Sequence, residues 1–137
     1  MAHLNQELEG WIRNAHALDN PLSPRRERIA ALFEDAARSV EVNTFHGCPF
    51  TNAVIELPEC TAVRTVAQDY RAVVRTHLAN LTDADTASIS TSRLVLLYGA
   101  AITAAKVARD AALVREASTM AQELVAAHNP GDTQQSR

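Results

Sequence analysis

The chain has 137 residues, enough for one domain of ordinary size and short for two. Hydrophobic residues make up 47% and charged residues 21%, the balance of a folded globular chain rather than a disordered one. A net charge of −3 and a pI near 5.9 leave no basic footprint for gripping nucleic acid. No apolar run reaches the ~18 residues of a membrane span.

Alanine fills 25 positions, against 4 glycines and 5 prolines. That turn-poor composition favours helices and disfavours a sandwich or barrel. The N-terminus has neither the basic start nor the apolar middle of a secretion signal. With only Cys48 and Cys60 as thiols, the expectation is a cytoplasmic protein without a structural disulfide.

Six helical segments are predicted, and no strand. The first covers about Ala2 to Ala17, with Leu4, Leu8, Trp11, Ile12 and Ala15 on one face. Ser23 and Pro24 read as the N-cap and first position of a second helix, whose apolar stripe is Ile29, Leu32, Phe33, Ala36, Ala37 and Val40. Its polar side carries Arg25, Arg28, Glu34, Asp35, Arg38 and Glu41. A loop around residues 43–47 leads to Cys48-Pro49-Phe50, which opens a short helix ending near Leu57-Pro58.

The fourth helix, from about Thr61 to Leu81, keeps helical spacing through Val63, Val66, Ala67, Tyr70, Val73, Val74, His77, Leu78 and Leu81. Thr82-Asp83-Ala84-Asp85 reads as a capping-box-like restart. From Leu94 to Ala108 the fifth helix is apolar on nearly every side, with Lys106 its only charge. Such a helix needs cover all round, and a chain this short predicts that a second copy supplies part of it. Gly99, Ala100, Ala101, Ala104 and Ala105 would admit a close backbone. The sixth helix runs from about Ala111 to Ala127 and is stopped by Asn129-Pro130-Gly131; residues 129–137 read as a disordered tail.

Few catalytic patterns are present. His3, His16, His46, His77 and His128 never fall at i, i+3 or i+4, so no metal site is expected. Phosphate loops, G-x-S-x-G and C-x-x-C are missing from the sequence. The expectation is a protein that is not an enzyme and takes no cofactor. An acid–base reading would require a pocket that gathers several of His46, His77, Asp69 and Cys48.

Cys48 allows two readings. Preceding a proline that opens a helix, its sulfur lies where the dipole favours a thiolate, as in a sensor thiol. It also fits a small buried residue at a tight junction. Cys60 has no comparable setting and reads as packing. Trp11, Phe33, Phe45, Phe50 and Tyr70, with Val74 and the polar Asn52, Gln68 and His77, are candidate ligand contacts, although core is the commoner fate of such residues.

The segment Phe45-His46-Gly47-Cys48-Pro49-Phe50-Thr51-Asn52-Ala53 resembles the RGCPFLNA element in the C-terminal domains of many TetR-type transcriptional regulators. Residues 23–33 resemble the helix before that element, and residues 62–78 the long helix after it. Leu96 to Ile102 resembles the family's LLDGA region, and Arg109-Asp110-Ala111-Ala112 its GDPAAA turn. Tyr98 replaces the usual acidic residue, and the helix-turn-helix that precedes this region in the family is absent from the chain.

The resemblance implies an all-α, six-helix TetR-like C-terminal domain over residues 1–128, dimeric through a four-helix bundle of its last two helices. It implies a pocket for a small hydrophobic effector, and no direct contact with nucleic acid or membrane. The interface would use Leu94, Tyr98, Ala101, Ile102, Ala105, Leu113, Ala117, Met120 and Leu124. The chain would then be a regulator's excised sensing domain or a head-less relative. A competing reading is a helical protein–protein interaction module without a ligand, pairing with itself or with intact regulators.

Overall fold

A computed structural model describes residues 2–42 and 44–127, and the predicted tail and His128 lie outside the described residues. The described chain is all-helical: α1 (Ala2–Leu18), α2 (Arg25–Val40), α3 (Pro49–Glu56), α4 (Thr61–Thr82), α5 (Ile89–Ala108) and α6 (Ala112–Ala127). Six helices and no strand were expected, and six helices with no strand among the described residues are found. None of them is long and apolar enough to cross a membrane.

The core forms where α2 lies against α6 and α5. Ile29, Phe33 and Ala37 of α2 are fully buried, as are Ala105, Val114 and Ala121 of the two later helices. Alanine at these crossings removes side-chain bulk and lets the axes approach, while Phe33, Leu78, Leu81 and Leu94 fill the volume between. A second, smaller cluster of Leu4, Phe50, Val63 and Val66 joins α1, α3 and α4. Tyr70 touches both clusters.

The helix ends depart from the sequence reading in three places. Pro24, not Ser23, holds the cap position of α2, and no side chain caps that end. The segment 82–85 does not restart a helix: Thr82 belongs to α4 and donates back to the Leu78 carbonyl, and Asp83 closes the helix in the left-handed region at φ 52°. The true start of α5 lies at its N-cap Ser88, six residues before Leu94. Its Oγ accepts from the Thr91 N–H at 3.1 Å, while the fully buried Thr91 hydroxyl donates to the Asp85 carbonyl. Serine and threonine three apart were the overlooked signal.

Asp110 starts α6 by accepting the Ala112 N–H at 2.9 Å. Just before it, Arg109 takes φ 53°, ψ 44° at the end of α5, the position where the resembling element carries glycine. For a residue with a Cβ the left-handed region costs about 1–2 kcal/mol, more than the about 0.5–1 kcal/mol of extra chain entropy that glycine loses on folding. Arg109→Gly is therefore expected to raise the unfolding free energy by about 0.5–1 kcal/mol, measured by urea denaturation. An unchanged or lower midpoint would show that the arginine side chain contributes more than its backbone costs.

Candidate functional site

A cavity of about 530 Å³ opens between α1, α2 and the loop entering α3, within the ordinary range for small-molecule sites. The α1 wall includes His3, Glu7, Gly10, Trp11 and Asn14, spaced as one helical face. Leu32, Asp35, Ala36 and Ser39 form the α2 wall with the same spacing. Phe45, Gly47, Cys48, Pro49 and Phe50 close the third side, and Tyr70, Tyr98 and Ile102 supply the floor.

The interior is aromatic and ordered by ring contacts. Phe50 stacks on Tyr70 with centroids 4.2 Å apart and planes 12° from parallel. Trp11 stands edge-on to Tyr70 at 5.7 Å, and its indole N–H donates to the Tyr98 hydroxyl at 3.3 Å. Phe33 braces Tyr98 from behind at 5.4 Å. Burial pushes the Tyr98 phenol up to about 12; the Trp11 N–H opposes this, and the Asp35 charge adds to it. Burial likewise lifts Tyr70 far above the ordinary phenol range. Both hydroxyls stay protonated at neutral pH and can donate to a guest.

Several members of the nine-residue element have a mechanical task. Gly47 sits at φ 87°, and the Lys106 stem crosses it so closely that a Cβ there would stand 2.6 Å from Lys106 Cδ. Asn52 Nδ2 donates to the His46 carbonyl at 2.7 Å, and Lys106 Nζ donates to Asn52 Oδ1 at 2.6 Å. The loop wall is thereby latched to α5. Pro49 occupies the first turn of α3 and Cys48 its N-cap.

Some expected site residues converge here and others do not. Trp11, Phe50 and Tyr70 line the cavity, and Val74 lines an adjoining hollow of about 260 Å³ that shares Phe50 and Tyr70. Phe33 is fully buried core, and Asn52 belongs to the latch. His77 faces a separate depression of about 310 Å³ with His16, Thr76 and Asn80. Cys48 is a free, half-buried thiol on the cavity wall. Cys60 proves to have a comparable setting after all, at the N-cap of α4.

Phe45 lines the cavity with the other aromatics, and Gln68 is exposed on α4; Glu7, Asn14, Asp35, Tyr98 and Ile102 were not expected in a cavity. The signal was available for Asn14 and Asp35, which fall on the cavity-facing sides of their helices and hydrogen-bond each other at 2.9 Å. Of the residues set aside for acid–base work, Cys48 lines the cavity, His77 lies in the other depression, and His46 and Asp69 are exposed. Among the described residues no three of His, Cys, Asp and Glu come together to hold a metal ion.

The residues expected at a dimer interface divide as well. Leu94, Tyr98, Ala101, Ala105 and Ala117 are buried inside the single chain, because they face α2, α4 or the cavity floor. Ile102, Leu113 and Leu124 are half-buried and Met120 is exposed. The outward face of α5 is instead Leu96, Ala100, Thr103 and Val107, with Leu96 60% and Val107 82% exposed.

Stability should depend on pH through His77. Burial holds its imidazole below the ordinary 6.5; Asp19 opposes that shift, while His16 and Arg28 add to it. Asp19 is itself held by a bidentate pair to Arg28 at 2.7 Å. Below the unfolded value the unfolded chain takes up a proton that the folded chain refuses, so stability falls from about pH 6.5 downward and levels off once His77 itself protonates. His77→Gln should flatten that segment of the urea-midpoint profile; an unchanged slope would assign the loss to other groups.

No family model matches this chain, and neither a curated protein nor a solved structure is significantly similar to it.

Proposed function

We propose that this chain is the effector-binding and dimerisation domain of a TetR-like transcriptional regulator, taking a small hydrophobic effector. The observation that supports this most is the position of the nine-residue element. The residues that carry the resemblance, Gly47 to Asn52, build one wall of an aromatic cavity and latch that wall to α5. The same helix offers an apolar outer stripe for a second copy. Binding and pairing then share one element.

The mechanism is a population shift. A guest that prefers one position of the loop wall biases the position of α5 through the Lys106–Asn52 contact. In a dimer this changes the spacing of whatever the two copies carry. The coupling has a ceiling: the guest cannot move the equilibrium by more than its difference in affinity for the two positions. The domain acts by binding, without a catalytic step and with no cofactor.

The competing reading, an interaction module without a ligand, shares the α5 stripe but has no use for the cavity. Titration with a hydrophobic fluorophore separates the two. Trp11 is the sole tryptophan and lines the cavity, so its emission is expected to be quenched saturably. A flat response would favour the interaction module.

Sedimentation tests the pairing. The native chain is expected to run as a dimer, and Val107→Glu as a monomer with unchanged helicity, because Val107 makes little contact within its own chain. Single chains at high concentration for the native protein would remove dimerisation from the proposal.

A further inference from the structure

The 530 Å³ cavity has a sign as well as a shape. Its lining includes two carboxylates, Glu7 from α1 and Asp35 from α2, and neither a lysine nor an arginine among the described residues that form it. Asp35 is half-buried between Asn14 and the cavity, with Oδ2 accepting from Asn14 Nδ2 at 2.9 Å. A carboxylate has further lone pairs to offer. Glu7 is at the outer rim, 3.5 Å from His3, an exposed imidazole that also lines the cavity and is the one basic side chain there. The Lys106 ammonium is turned away into the latch on Asn52. Arg13 approaches Gly10 from the exposed flank of α1 and is outside the lining.

Below the carboxylates lie ring faces and edges of Trp11, Phe50, Tyr70 and Tyr98. Aromatic faces attract a cation through their quadrupole, and more strongly where water is excluded. An anionic guest would meet two carboxylates, with the exposed His3 imidazole, already set against Glu7, as the one basic side chain of the lining. A neutral guest would satisfy the rings and leave the charge unused.

Resting on the reading of this cavity as a ligand site, we infer that its occupant is a lipophilic organic cation. The aromatic body rests on Trp11, Phe50 and Tyr70, and the positive group lies between Asp35 and Glu7. The specificity comes from charge complementarity at the mouth; the rings supply affinity to any flat apolar body of suitable size.

A matched series tests this on the full chain by isothermal titration calorimetry: naphthylmethylammonium, naphthylmethanol and naphthylacetate, which share a ring system and differ in charge. The cation is expected to bind at least about ten-fold more tightly than the alcohol, with the acid weakest. Asp35→Asn and Glu7→Gln should each lower the cation-to-alcohol ratio, and the double variant should bring it close to one. Glu123→Gln, on the exposed side of α6, removes the same net charge and should leave the ratio alone. Should Asp35→Asn fail to fold, Glu7→Gln on the exposed turn still reads the ratio.

Equal binding of cation and alcohol, or tighter binding of the acid, would overturn the charge assignment and leave the cavity's role as a ligand site intact. A ratio that falls equally in Glu123→Gln would also overturn it, by assigning the preference to net charge. Failure of all three compounds to bind would bring down both this inference and the ligand-binding reading beneath it.

Discussion

The cavity side of this domain depends on the stem of Lys106 crossing the backbone at Gly47. That approach needs a residue without a Cβ, in a left-handed conformation, at the moment the chain turns into α3. Once the turn is made, Cys48 and Pro49 fall at the first positions of the helix, Phe50 swings onto Tyr70, and Asn52 is placed to bind the loop on one side and Lys106 on the other. A cavity wall, a helix start and a tie to α5 follow from one steric allowance. The lone charge of the apolar stretch from Leu94 to Ala108 is thus accounted for locally, as a clasp and not as a solvated decoration.

Much of the architecture was legible because it rests on periodicity. The stripes of α2 and α4 repeat over several turns, and their inward residues, from Ile29 to Ala37 and from Val63 to Leu81, are largely the buried ones. What eluded the sequence was anything decided by two helices together. Phe33 and Trp11 look equivalent as aromatic residues on amphipathic faces, yet Phe33 is enclosed by α5 and α6 while Trp11 looks into an opening. Asp35 seemed a solvated charge on the polar side of α2. It is one only until α1 crosses over that side and Asn14 meets it.

The fifth helix shows the same limit in sharper form. An all-round apolar segment carries no information on which side faces its own chain, since every side qualifies. Tyr98, Ala101 and Ala105 turn inward, and Leu96, Ala100, Thr103 and Val107 turn out. A choice among identical-looking faces is made by the partners available inside the fold, and these become visible only in three dimensions. The start of α5 was missed for another reason: Ser88 and Thr91 cap it through hydroxyls, which leave no trace in a hydrophobic pattern.

Trp11 also borders the second depression, where its ring meets the His77 imidazole edge-on at 5.7 Å, and His77 in turn stacks on His16. The indole is therefore a party wall between two compartments of opposite character, one acidic and aromatic, the other lined by imidazoles. A flat plate shared in this way has no spare orientation: tilting it to enlarge one room narrows its neighbour. The two hollows share one ring as their common wall.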